Sequence, residues 1–393
     1  MDHLILRKLI EDGLVKEQNP SNLPPQILFF SGGSALTGLS AQLKKITPLS
    51  IHLISPFDSG GSTGKLRKAF NIPAFGDLRN RMVALMDEDA RGYKEIAWLF
   101  KYRTAESDDK RKCLEEFNNL LEGNHLVFEK LPLLIKDYVI KNLIYFKNKF
   151  AREFDFCGAS LGNILLTAVY FRNNKSLESM LKELYLLFPI RGIVRLTSTE
   201  DFQLFARLED DTEVVGQHLI TGKEVEPLCK KIVDLRLVKS LGEGVEVTCY
   251  LDKNNERYIK SADLICYPPG SFYSSIIANL LPKGAGKAVA STECNKVYVP
   301  NLGTDNEQYG MCLQESVETL IRYLRRDAGN SVETKTLLTH VLLDEDSSLY
   351  RGDLDTDFIQ AHGIQVLKSR LVTGDRNTYY NPRLLAEALA SLS

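Results

Sequence analysis

"ILFFSGGSALTGLSAQLKK", Ile27 to Lys45, decides how the rest of the chain is read. It opens on four apolar residues without alternation, the pattern of a parallel strand buried on both faces. Glycines follow at once, then apolar residues at helical spacing, so the stretch predicts a strand, a glycine turn and a helix. "IHLIS" (Ile51–Ser55) repeats the strand, and "PFDSGGSTGKLRKAF" repeats the turn and helix. Two such units in succession predict an α/β fold, Rossmann-like and doubly wound, with a mostly parallel sheet and ligands at the carboxyl ends of its strands.

Farther along, apolar residues at helical spacing in "YKEIAWLFKY" and "LPLLIKDYVIKNLIYFKNKF" predict a helical insertion over about 88–154. After two further helices, "GIVRLTS", "QLFARLE" and "EVTCYL" predict strands of a smaller β-rich segment. "ADLICYPPGSFYSSIIANLL" returns to strand, turn and helix; "KVYVPN" reads as another buried strand. "TLLTHVLL" and "GIQVLKS" are strand-like, and "PRLLAEALASL" is a closing helix. The expected organisation is an N-terminal extension over 1–26, one α/β domain over 27–345, and a C-terminal segment over 346–393 packed on the same domain.

The totals narrow the function. Of 393 residues, 44% are hydrophobic and 25% charged, ordinary for a globular protein. A net charge of −2 supplies no positive field for counterion release, so nucleic acid is not an expected partner. The seven cysteines are scattered, with no C-x-x-C pair, and reduced buried thiols of a cytoplasmic protein are expected in place of a disulfide framework or a zinc site. The first twenty residues carry charges throughout, unlike a signal peptide, and no apolar run is long enough to span a bilayer, so no membrane partner is expected.

Five glycine or hydroxyl turns carry the chemistry. In "SGGSALTG", Gly32, Gly33, Ser34 and Gly38 would let backbone N–H groups approach a phosphate, although such turns also serve packing alone. "SPFDSGGSTGKLRKAF" is not a nucleoside-triphosphate P-loop. Ser59 stands where its first glycine belongs, and Leu66 where its magnesium-binding hydroxyl belongs. Its Asp58 suits a hard cation, a catalytic carboxylate or an Asx turn; Gly60, Gly61, Ser62, Lys65 and Arg67 suit phosphate oxygens. "GDLRN" offers Asp77 and Asn80, with helix capping the leading reading for Asp77 taken by itself. "GASLGN" offers Ser160 and Asn163, and "PPGSFYSS" sets Gly270, Ser271, Tyr273, Ser274 and Ser275 at a helix start, with Ser271 and Ser274 toward the phosphates and Tyr273 free to stack on a ligand.

In order and spelling, these turns resemble the family of the 2-phospho-L-lactate transferase CofD and the YvcK-like gluconeogenesis factors. The resemblance runs from about Ile27 to Leu324 and includes "NLGTDNEQYG", which adds Asn301 to the binding residues. It implies a crevice for a nucleoside diphosphate bearing a small group, and allows a homo-oligomer. The transferase branch implies magnesium and transfer of a phosphate-linked group to a hydroxyl; the YvcK-like branch implies nucleotide-sugar binding and regulation. Neither branch implies a tightly bound flavin or NAD. Two departures stand out: Ser59 replaces the second of two paired aspartates, and Ala159 replaces a histidine. Binding without turnover therefore leads, with magnesium-dependent transfer as the alternative.

Overall fold

Strand β1 (Ile27–Ser31) pairs in parallel with a strand on each edge and is buried on each face. Ile27 and Phe29 join one apolar cluster, Leu28 and Phe30 another, which is why its sequence shows no alternation. The computed structural model describes residues 24–393 apart from 34, 124, 223–224, 241–242, 353 and 375–378. Ser34 and most of the expected 1–26 extension therefore lie outside the described residues.

Around β1 the other parallel strands are β2 (Ile51–Ile54), β3 (Ile193–Leu196), β8 (Leu264–Tyr267), β9 (Asn295–Tyr298), β10 (His340–Asp344) and β11 (Gln365–Ser369). Their order is β11-β10-β9-β8-β1-β2-β3, with every pairing parallel. An antiparallel sheet, β5-β4-β6-β7, comprises β4 (Gln203–Leu208), β5 (Glu213–Val215), β6 (Ile232–Ser240) and β7 (Glu243–Glu246). Helices cover the parallel sheet. Thr37–Ile46 packs on the closing helix Pro382–Ala390 over one cluster, and the helices Gly76–Leu85 and Leu161–Arg172 share a second with the helical segment 93–150. Phe70, Phe146, Phe150 and Phe171 meet there at ring distances of 4.6–5.9 Å, fastening the helices to one another.

Three expectations need correction. "EVTCYL" is not a strand: pairing stops at Glu246, Val247 makes one more backbone bond to Leu237 (2.9 Å), and Tyr250 forms an isolated bridge with Lys283. Its alternation is that of an extended chain with Cys249 buried and Tyr250 exposed, but no partner strand runs beside it. "TLLTHVLL" begins as a helical turn, Thr334–Leu337, and becomes strand only at His340. The cysteines are not all reduced thiols. Cys113, on the helix Lys110–Leu121, is bonded to Cys157, 44 residues on, because packing of the helical segment brings their Cα atoms to 5.2 Å. Cys229, Cys249, Cys266, Cys294 and Cys312 are free.

One close approach tests this packing. In the helix Ala285–Ala290, a Cβ on Gly286 would overlap the Leu324 carbonyl and lie 3.2 Å from the Ala328 nitrogen, so only glycine allows this contact with the helix Leu313–Ala328. Gly286→Ala is expected to destabilise the protein by about 1–3 kcal/mol. At Gly244 an added Cβ meets nothing within 4 Å, so Gly244→Ala should stay within about 0.5 kcal/mol of the parent. Chemical denaturation of both variants checks the difference.

Candidate functional site

Strand order reverses between β1 and β8, and at such a point the loops leaving the carboxyl ends diverge and open a crevice. A cavity of about 180 Å³ lies there. Gly32 and Gly33 line it after β1, Asp58 and Gly60 after β2, and Pro268, Pro269, Gly270 and Ser271 after β8. Asp77, Ser275 and the segment Gln217, His218 and Thr221 complete the wall. A neighbouring hollow of about 520 Å³ shares Gly270, Ser271 and Thr221 and adds Asn301, Tyr379, Tyr380 and Pro382. The first space alone is small for a nucleotide, but the two together reach the size of a metabolite site.

The first turn is held from below. A Cβ on Gly33 would overlap the Asp77 carboxylate and lie 2.8 Å from the Asp77 Cα, so this turn and the helix Gly76–Leu85 meet backbone to backbone. Arg81, fully buried, donates to the Gly32 carbonyl at 2.8 Å and to the Ser40 hydroxyl. Burial lowers its pKa to about 10, while Asp77 pulls it upward. Arg79 is likewise lowered to about 10, by burial first and then by Arg103, against Asp77 and Asp58; it donates to the Ser160 hydroxyl and, at 2.7 Å, to Asn80 Oδ1. Both guanidiniums stay charged at neutral pH, so two buried cations stand behind the two aspartates of the cavity.

The second and fourth turns are bound to each other. Asp58 Oδ1 accepts the Gly60 N–H at 3.0 Å, an Asx turn, and the residue also lines the cavity, so the turn does not withdraw it from the crevice. Gly61 follows with φ 43° at the start of the helix Gly61–Phe70. Ser62, buried, accepts the Ser160 N–H at 2.9 Å, and Asn163 donates to Thr63 at 3.4 Å. Ser160 also caps the helix Leu161–Arg172 through the Asn163 N–H at 3.4 Å. Ser62, Ser160 and Asn163 thus form the support beneath the cavity, and none of them lines it.

Other residues expected at the ligand face elsewhere. Lys65 Nζ donates to the Cys157 carbonyl at 2.6 Å, and Arg67 is buried on Asp201 (2.7 Å), the Asp58 carbonyl (2.8 Å) and the Phe202 carbonyl. A Cβ on Gly38 would meet Pro382, so this glycine serves packing. Tyr273 does not face the crevice: its ring is buried and its hydroxyl donates to the Ile232 carbonyl at 2.8 Å, tying β6 to the turn. Ser274 donates to Glu307 through both N–H and hydroxyl. Asn301 clasps Gly270, accepting its N–H and donating to its carbonyl, both at 2.7 Å. Around the π-helical turn Phe272–Ile277, Ser271 at its N-cap and Ser275 within it line the cavity, while the three residues between them are buried.

Ser275 stood in the fifth turn without an expected ligand role, and Gln217, His218 and Thr221 were not among the expected residues. Ser275 was within reach of sequence reasoning, four residues after Ser271 and therefore on the same side of a helix. The other three follow β5 in a segment with no motif. For a cation, Asp58 and Asp77 are the carboxylates of the cavity, and the described residues hold no cluster of three or more histidine, cysteine, aspartate or glutamate side chains suited to a metal. Two carboxylates fit magnesium, which takes one or two from protein and completes its shell with water and ligand phosphate. No helix among the described residues is long and apolar enough to cross a membrane.

Comparison with known proteins agrees with this architecture. The family profile described as 2-phospho-L-lactate transferase CofD matches residues 27–372. A putative gluconeogenesis factor of Thermotoga maritima is 30% identical over 338 residues, 85% of each chain. The gluconeogenesis factor of Bacillus subtilis is 25% identical over 359 residues, 89% of this chain and 92% of its own. A crystal structure of a UPF0052 family member from Bacillus halodurans superposes with a TM-score of 0.66 at 20% identity, covering 93% of this chain and 98% of that one, a likeness of fold. With the profile spanning the whole parallel sheet and the turns that wall the cavity, the chain belongs to the CofD family, alongside the gluconeogenesis factors.

Proposed function

We propose that this protein binds a nucleoside-diphosphate metabolite, a nucleotide sugar or a close relative, in the crevice between β1 and β8, and acts by binding. The observation that carries the reading is the convergence of the Gly32–Gly33 turn, the Pro268–Ser271 turn and two aspartates on one cavity at the strand-order reversal. Backbone N–H groups at strand-to-helix turns suit phosphate oxygens. The described lining residues include no lysine or arginine, so the two carboxylates would repel a bare diphosphate. Magnesium held by Asp58 and Asp77 would relieve that repulsion. The wider hollow beside Tyr379 and Tyr380 gives room for the base or the attached group.

A second reading, transfer of a phosphate-linked group from the nucleotide to a hydroxyl acceptor, is favoured by that pair of aspartates. Incubating the protein with nucleoside-diphosphate donors and hydroxyl acceptors, with and without magnesium, separates the readings. Stoichiometric binding without product supports the first, and product formation the second. Failure of uridine and guanosine diphosphates and their sugar conjugates to bind at all would overturn both.

Two outcomes are expected in calorimetric titrations. Asp58→Asn or Asp77→Asn should remove most of any magnesium-dependent gain in affinity, about tenfold or more, because each takes away one charged oxygen donor. Ser271→Ala should weaken binding by up to about tenfold at unchanged melting temperature, whereas Tyr273→Phe should leave affinity alone and cost about 1 kcal/mol of stability. Altered ligand ranking in Tyr273→Phe would contradict its inward placement.

A further inference from the structure

We infer that His218 is a ligand-contacting residue of this crevice, donating its Nε2–H to a phosphate oxygen, and that Ser59 positions it. The inference rests on the nucleoside-diphosphate reading and deepens it. His218 lies on the short helix Gln217–Ile220 and lines the same cavity as Gly32 and Gly33. Ser59 Oγ is 2.8 Å from His218 Nδ1 and accepts the His218 backbone N–H at 3.2 Å.

In the proposed arrangement the Ser59 hydroxyl donates to Nδ1, a direction that the contact admits. The Ser59 hydroxyl carries one proton, and among the described residues Nδ1 is the acceptor within its reach. A neutral imidazole whose Nδ1 accepts carries its proton on Nε2. Nε2 has no hydrogen-bond partner among the described residues, and the ring lines the cavity. The rest of the lining offers carboxylate and hydroxyl oxygen, and His218 and Gln217 are the lining residues whose side chains carry N–H groups. A bound diphosphate needs such donors. Ser59 meets this histidine at the position where the family resemblance implies a second aspartate, and Ala159 leaves the Gly158–Asn163 turn without a titratable side chain.

The test uses the full chain with uridine diphosphate and guanosine diphosphate as probes, each with magnesium. In titrations, His218→Phe should weaken whichever nucleotide the parent binds by about ten- to a hundredfold, the loss of a hydrogen bond to a charged group. His218→Gln, which carries an amide N–H to the Nε2 position, should retain affinity to within about threefold, and Ser59→Ala should fall between the two. Nitrogen-15 spectra of the histidine rings in the parent protein provide a reading free of folding effects. They should show His218 protonated on Nε2, with that signal shifting as the nucleotide saturates. A proton on Nδ1, ring signals indifferent to saturating nucleotide, or parent-like affinity in His218→Phe overturns this inference alone. A parent that binds neither nucleotide nor the sugar conjugate of either overturns the underlying reading, and this inference with it.

Discussion

The molecule depends on the placement of β1. It is hydrogen-bonded along each edge and packed on each face, and the strand order reverses at the edge it shares with β8. A strand so enclosed has no solvent-facing side, so its sequence must be apolar throughout and its exit must turn at once. That exit, Gly32–Gly33, lies beside the exit of β8 because the two strands are neighbours, and beside Asp58 because β2 is the neighbour on the other edge. The cavity is thus a consequence of topology, and turns as far apart in sequence as Gly32 and Ser271 are brought to it by three adjacent strands.

Charge is arranged around the same point in layers. Asp58 and Asp77 face the cavity, and Arg79 and Arg81 lie buried behind them, the latter holding the Gly32 carbonyl. Removing a guanidinium from water is costly, which is the first cause of the lowered pKa of both arginines, and the aspartates offset part of that cost. Arg67 does comparable work beneath the second turn, joining the Asp58 carbonyl to Asp201. The cradle is therefore rigid from below, while its open side presents carboxylates, hydroxyls and backbone. Such a surface suits a ligand that brings its own cation.

Much of this was legible in the sequence, and the part that was not has a common cause. The buried strands β1, β2, β8 and β9 announce themselves as short apolar runs stopped by glycine, proline or serine, and the convergence of their turns follows from a doubly wound sheet. Side-chain direction at those turns does not follow. Lys65, Arg67 and Tyr273 belong to the right segments but are engaged away from the cavity, Arg67 and Tyr273 buried and Lys65 on the surface, with partners far along the chain: Asp201, Ile232 and Cys157. His218 and Gln217 sit in no motif, and only the packing of the antiparallel sheet carries them to the crevice. Cys113 and Cys157 meet for the same reason, through helix packing that their spacing does not reveal. In "EVTCYL" the alternation was real, and the missing element was a partner strand.

The central claim is that the reversal between β1 and β8 is where the nucleotide's phosphates sit. A crystal structure of the protein with uridine diphosphate and magnesium tests it most directly. The account expects diphosphate density between Gly32–Gly33 and Gly270–Ser271, a cation on Asp58 or Asp77, and the base toward Tyr379 and Tyr380. Diphosphate density elsewhere, with these two turns unliganded at saturating nucleotide, would contradict it.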